Sequence, residues 1–71
     1  MEKILINKEP VELYKILKFE GLVGTGGEAK MVIANGDVKL NQTVETQKRK
    51  KIVSGDIIEF NKQTFLIELD H

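Results

Sequence analysis

The chain has no cysteine and no tryptophan, one proline, one histidine, and only one tyrosine and three phenylalanines among its 71 residues. Without cysteine there is no disulfide and no thiolate metal site. The single histidine is His71, the last residue, and chain ends fray, which makes it a poor general base. Ser54 has no base beside it in the pattern, and the carboxylates are spread singly, each next to a lysine or a turn. Catalysis needs a nucleophile, a base and an orienting group that converge, so an enzyme is not expected, nor a metal or other cofactor. Long apolar runs are missing as well, and a membrane-spanning helix needs about 20 such residues. The opening stretch from Met1 to Asn7 lacks the apolar core and small-residue cleavage site of a secretory signal, so a cytoplasmic protein is expected. An excess of charge of one sign is also absent. Eleven Lys and Arg balance eleven Asp and Glu. Nucleic-acid binders usually carry a basic excess, so neutrality at first speaks against one.

What the chain does have is a clear order of patterns. Its apolar fraction of 41% suits a globular domain rather than a disordered one, and with no repeat or linker it reads as a single domain over residues 1–71. Ile4 to Ile6 reads as a short strand. Pro10 reads as the first position of a helix, where its missing N–H costs nothing. Leu13, Ile16 and Leu17 form the apolar stripe of that helix, Glu12 and Lys15 are spaced to pair on its exposed side, and Gly21 stops it. Thr25 followed by Glu28 is a capping box that opens a second helix. Ala29, Val32, Ile33 and Gly36 give that helix one narrow buried face, and Asn35 with Gly36 closes it. From there the period changes to two. Val38 and Leu40 alternate with polar residues, Asn41 and Gln42 make a hairpin turn, and Val44 returns. A polar run from Glu45 to Lys51 precedes apolar Ile52 and Val53. A turn at Ser54 to Asp56, a strand from Ile57 to Phe60, a turn over Asn61 to Gln63 and a last strand from Thr64 to Leu69 complete the chain. The predicted class is α+β, with two N-terminal helices packed on a small, mainly antiparallel sheet.

Three features could bind an anion. Gly24, Thr25, Gly26 and Gly27 lead straight into Glu28, Ala29 and Lys30. Glycines at a helix start let a phosphate approach the unpaired N–H groups closely, although the same string also serves as a flexible turn with a Thr cap. Neither the Walker spacing nor the dinucleotide fingerprint is present. The run Lys48, Arg49, Lys50 and Lys51 packs four of the eleven basic residues together. Such a run is either a solvated loop or a polyanion contact, because bound phosphates relieve its self-repulsion. Lys39 lies on the open face of its strand with Asn41, and Lys30 lies off the apolar stripe of the second helix. Together these groups could frame one anion-binding surface. Of the aromatics, Phe65 alternates into the core. Tyr14 either faces solvent beside Lys18 or is a partly buried helix residue. There is no exposed aromatic cluster on which single-stranded bases could stack.

The stretch from Leu13 to Asp56 resembles the alpha-L RNA-binding domain of the ribosomal-protein-S4 type. Leu13, Ile16, Leu17 and Gly21 resemble its first helix and stop. Thr25, Glu28, Ala29 and Lys30 resemble the opening of its second helix, and Ile33, Asn35 and Gly36 its close. Asp37, Val38, Lys39, Leu40 and Asn41 resemble the strand that follows, and Gly55 with Asp56 the later turn. The string from Gly26 to Lys30 and the run from Val44 to Ile52 are similar to the small stand-alone bacterial members, the YaaA/YbcJ-like group. The resemblance implies an RNA-binding surface built from Thr25, Gly26, Gly27, Lys30, Lys39, Asn41, Lys48, Arg49, Lys50 and Lys51. The chain departs from the family pattern in places. Many relatives have a basic residue where Gly26 stands, and often Arg and Asp near Val11 and Glu12. The hairpin turn commonly reads Asn-Gly, where this chain has Gln42. Larger relatives join this domain to catalytic modules, and none is present here.

The expected function is therefore non-catalytic recognition of structured RNA, ribosomal or transfer RNA, through phosphates and shape on one basic face. Structured DNA is an alternative ligand, since phosphates are common to both. Neutrality is then an average over an uneven chain. From Lys30 to Lys51 six basic residues face two acids, Asp37 and Glu45. The competing reading is a protein-interaction module that docks a ribosomal or other protein on its sheet edge or apolar surface. Its support is the adjacent pairs Ile57–Ile58 and Leu66–Ile67, one residue of each pointing away from the core.

Overall fold

The computed structural model describes residues 1–70. The elements run β1 (Glu2–Ile6), β2 (Val11–Glu12), α1 (Leu13–Phe19), α2 (Gly26–Ala34), β3 (Val38–Leu40), β4 (Thr43–Val44), β5 (Lys51–Ile52), β6 (Ile57–Phe60) and β7 (Gln63–Leu69). His71, the histidine set aside above as a base, lies outside the described residues. A five-stranded sheet has the order β1-β7-β6-β3-β4. β1 runs parallel to β7, with Ile4 opposite Ile67. The other pairings of this sheet are antiparallel.

Alternation decides which residues the sheet buries. Val38, Ile58, Phe65, Ile67, Ile4 and Ile6 turn inward, where the stripe Leu13, Ile16 and Leu17 of α1 and Ala29 and Ile33 of α2 pack on them. Leu13, Leu17, Ile33, Val38, Ile52, Ile58 and Ile67 are fully buried, and no polar or charged side chain is buried among the described residues. The core is purely apolar, so its stability scales with the area removed from water. Ile57 and Leu66 stand opposite each other in the β6–β7 register, and Ile58 and Ile67 are the buried members of the two apolar pairs. Ile57 and Leu66 therefore point outward, as alternation predicts.

Both helix stops are closed by the same bonding pattern. Leu22 N–H donates to the Leu17 carbonyl and Gly21 N–H to that of Lys18; Asp37 donates to Val32 and Gly36 to Ile33. These are Schellman closures, which need a left-handed residue. Gly21 at φ 72° and Gly36 at φ 84° supply it.

The start of α1 differs from expectation. Pro10 does not open the helix. Val11 and Glu12 after it form β2 and pair antiparallel with β5, Val11 opposite Ile52 and Glu12 opposite Lys51. Glu12 is extended, with φ −69° and ψ 139°, and serves as the N-cap without a side-chain cap bond. The pairing buries Ile52 completely. A contact some forty residues away in sequence thus overrides the local start signal. The last turn is also tighter than read: Asn61 and Lys62 form it, and Gln63 already belongs to β7.

The β3–β4 hairpin turns on two residues, Asn41 at φ 51° and Gln42 at φ 72°. Both positive angles match the turn for which Asn-Gly is favoured. Gln42 therefore holds a left-handed conformation that costs a side-chain residue about 1–2 kcal/mol. Glycine removes this cost but gains entropy in the unfolded chain, so Gln42→Gly is expected to stabilise the fold by about 0.5–1 kcal/mol. A urea melt checks this: the midpoint should rise at unchanged slope.

Candidate nucleic-acid interface

The opening of α2 leaves the amides of its first two residues free. Thr25 is extended, and its hydroxyl accepts from Glu28 N–H at 3.0 Å. The Thr25 carbonyl accepts from Ala29 N–H at 3.0 Å. The Glu28 carboxylate reaches back past the cap and accepts from Gly24 N–H at 2.7 Å. This is the predicted capping box, shifted by one residue at its return bond. The Gly26 and Gly27 amides, the first two of the helix, have no acceptor among the described residues. They stand at the positive end of the helix dipole without a Cβ to shield them.

Lys18 flanks this opening. A Cβ built on Gly26 would lie 3.8 Å from Lys18 Cδ, so the stem of Lys18 runs beside Gly26. Lys30 stands one turn into α2, on the same side as Gly26. Its Nζ lies 4.7 Å from the centre of the Tyr14 ring. That ring is partly buried against the core, and the nearer cation over its face is Lys30, not the neighbouring Lys15 at 6.0 Å.

Tyr14 also joins the basic run. At the start of α1, Leu13 N–H donates to the Lys50 carbonyl at 2.9 Å and Tyr14 N–H to the Lys48 carbonyl at 3.1 Å. A helix start has unpaired amides that need acceptors, and the backbone of the run provides them in place of a side-chain cap. Lys50 N–H donates to the Gln47 carbonyl at 3.2 Å, and Lys51 enters β5. The run is therefore pinned along its backbone, and its four side chains are exposed. Glu12 sits beside them as the nearest acid. It holds Lys15 at 3.2 Å and approaches Arg49 Nε at 3.9 Å. Arg49 is largely solvated, so the second contact is worth little.

The sequence-predicted residues thus separate into two groups. Thr25, Gly26, Gly27, Lys30, Lys48, Arg49, Lys50 and Lys51 are linked through Tyr14, α1 and the opening of α2. Lys39 and Asn41 are not tied to them by any hydrogen bond or ion pair among the described residues. Lys39 stands on the outer sheet face, with Glu59 and Val44 as its register partners. Asn41 works within the fold. Its amide donates to Asp56 Oδ1 at 3.1 Å, and its oxygen accepts from Ile57 N–H at 2.9 Å, which fastens the hairpin to the start of β6. Sequence reasoning missed Lys18 and the junction made by Tyr14. The helical spacing of Tyr14 and Lys18 marked them as neighbours, but only the packing of α1 on α2 carries both to the α2 opening.

The profile of the S4 domain family matches residues 4–68. The chain is 46% identical over 61 residues to YbcJ of Escherichia coli (strain K12), which is named as a candidate RNA-binding protein; the match covers 84% of this chain and 87% of YbcJ. The same figures hold for YbcJ of Shigella flexneri, whose name assigns no function. The solution structure of E. coli YbcJ superposes with a TM-score of 0.72 at 40% identity, over 96% of this chain and 87% of that one. That structure is described as revealing an alpha-L motif involved in RNA-binding. The α+β arrangement of two helices on a mainly antiparallel sheet is thus an alpha-L fold.

The cap on α2 has a measurable value. Thr25→Ala removes the acceptor of Glu28 N–H and is expected to cost about 1 kcal/mol of stability, whereas Thr25→Ser should be close to neutral. Chemical denaturation of the two variants beside the parent checks the pair.

Proposed function

The chain belongs to the S4 domain family, and from that premise we propose that it is a non-catalytic RNA-binding module of the bacterial cytoplasm. Its ligand is structured RNA, ribosomal or transfer RNA, held through phosphates and helix shape. One observation carries the reading: the two unpaired amides of Gly26 and Gly27 open beside Lys18 and Lys30, and Tyr14 links them to the pinned run Lys48–Lys51. Backbone donors and flexible ammonium groups suit phosphate oxygens, which lie at regular spacing along A-form RNA. The exposed aromatic beside them is Phe19 alone among the described residues, its ring 5.9 Å from Lys18 Nζ, so base stacking has a small share. The name of E. coli YbcJ and the description of its structure support an RNA ligand. Asn41 serves the hairpin in this reading, and Lys39 is a peripheral cation. A protein partner, ribosomal or other, would use surface away from these lysines.

The experiment is a titration against a structured RNA, and against a DNA hairpin of the same sequence, at several salt concentrations. Affinity should fall as salt rises, because phosphate contacts release counterions; affinity independent of salt would overturn the reading. Equal affinity for the DNA hairpin would reduce the specificity to phosphates alone. Changing Lys48, Arg49 and Lys50 together to Ala should weaken binding to every RNA tested and lower the log–log salt slope by about two to three. The fold should survive this change, since the carbonyls at positions 48 and 50, not the side chains, hold α1.

Gly26→Arg tests the α2 opening from the other direction. The φ of Gly26 is not in the left-handed range, and its Cβ would meet only Lys18 Cδ at an ordinary 3.8 Å. The added guanidinium should raise RNA affinity and steepen the salt slope by about one. A gel-shift series at two salt concentrations reads both effects.

A further inference from the structure

We propose that the groove between the free edge of β1 and helix α1 docks an extended segment of a partner protein, which adds to the sheet as a further strand beside β1. β1 is the outermost strand on its side of the sheet. Asp70 N–H donates to the Ile6 carbonyl at 2.7 Å, so the backbone of Ile6, and of Ile4 two residues before it, is turned toward β7. Strand alternation then turns the N–H and C=O groups of Lys3 and Leu5 to the open edge. Such unpaired groups are a template for another strand.

The space beside this edge suits a chain. A cavity of about 540 Å³ lies between β1 and α1, with Ile4, Ile6, Ile16 and Phe19 among its walls. A second, of about 430 Å³, continues it along β1 and shares Ile4 and Glu20 with the first. Ile16, Phe19 and Glu20 follow one another on a single helical face, so α1 forms one wall and the strand edge the other. Phe19 is 72% exposed and Leu5 57%. This is the layout in which a peptide pairs its backbone with a strand and lays alternate side chains against a helix.

Charge names the occupant. Lys15 is held by Glu12 and Lys3 by Glu68. Glu20 and Asp70, and Glu2 in the continuation, line the groove with no ion-pair partner among the described residues, against Lys8 in the lining and Lys18, whose Nζ lies 5.9 Å from the Phe19 ring. A nucleic-acid backbone is repelled by such a lining. A strand with apolar residues at alternate positions and Lys or Arg between them meets both the apolar walls and the acids. The site does not depend on the RNA reading.

The test is an NMR titration of the full chain with a capped ten-residue peptide of alternating lysine and valine. Two control peptides accompany it, one with glutamate for lysine and one N-methylated at alternate residues. Saturable shifts should centre on Lys3, Leu5 and Phe19, and amide exchange at Leu5 should slow. Both controls should bind at least about tenfold more weakly, as should Phe19→Ser and the double variant Glu20→Lys, Asp70→Lys. Phe19, Glu20 and Asp70 are exposed, so these variants should fold, which an unchanged thermal midpoint confirms. The proposal is overturned if the peptide leaves β1 unperturbed at millimolar concentration, or if the acidic or N-methylated peptide binds equally well.

Discussion

Helix α1 begins with amides that need acceptors, and the chain answers with the carbonyls of Lys48 and Lys50. The rest of the candidate interface depends on this exchange. A run of four basic residues in water would repel itself and sample many shapes. Here two alternate carbonyls are bound to α1, and Lys51 is bound into the β2–β5 pair. The backbone is fixed by neutral hydrogen bonds, each worth about 0.5–1.5 kcal/mol net, and the charges add only the weak, solvated Arg49–Glu12 contact. Folding therefore determines where the cations stand without neutralising them. A surface of this kind has already met much of the ordering cost of binding a polyanion.

Tyr14 extends the same logic to α2. Its backbone N–H meets the run and its ring lies under Lys30. Two elements of the interface thus reach each other through one residue of α1. The α2 opening is arranged to complement them. Thr25 and Glu28 occupy the donors of Glu28 and Gly24, and the two glycine amides between these positions stay open. The Glu28 carboxylate lies close to that opening and lowers the local positive potential. Lys18, beside Gly26, acts against it from α1.

The parts of this structure that were legible in the sequence are those decided within a few residues. Gly21 and Gly36 stop helices because only their own φ matters, and Thr25 caps α2 because its acceptor lies three residues away. Strand alternation separated Ile57 from Ile58 and Leu66 from Ile67 for the same reason. What escaped lies far apart in the chain. Pro10 carries a valid local start signal, but Val11 pairs with Ile52, and that pairing decides. The parallel match of β1 to β7 joins the two ends of the chain and leaves no local mark. Among the site residues, the glycine amides and the basic run could be read as separate features, while their junction through Tyr14 required the packing of two helices. The family resemblance implies a ligand contact for Asn41, a role that its hydrogen bonds within the fold do not themselves require. Its amide ties the hairpin to Asp56 and Ile57.

Zero net charge is best understood through this placement. Six cations against two acids lie between Lys30 and Lys51, while Glu2, Glu9, Glu12, Glu20, Glu59, Glu68 and Asp70 lie outside that segment. Glu2, Glu20 and Asp70 line the groove between β1 and α1, which contains none of the residues of the basic run. At physiological ionic strength charges are screened beyond about 8 Å, so a ligand near the run responds mainly to the lysines within that distance. The opposite sign elsewhere weakens long-range attraction to any polyanion. On the proposed reading, a neutral chain with sorted charge would combine slow, weakly steered capture with firm contact once the phosphates are close. In that reading selectivity would rest on the fit of the pinned backbone and the glycine amides to the ligand's shape, more than on total charge.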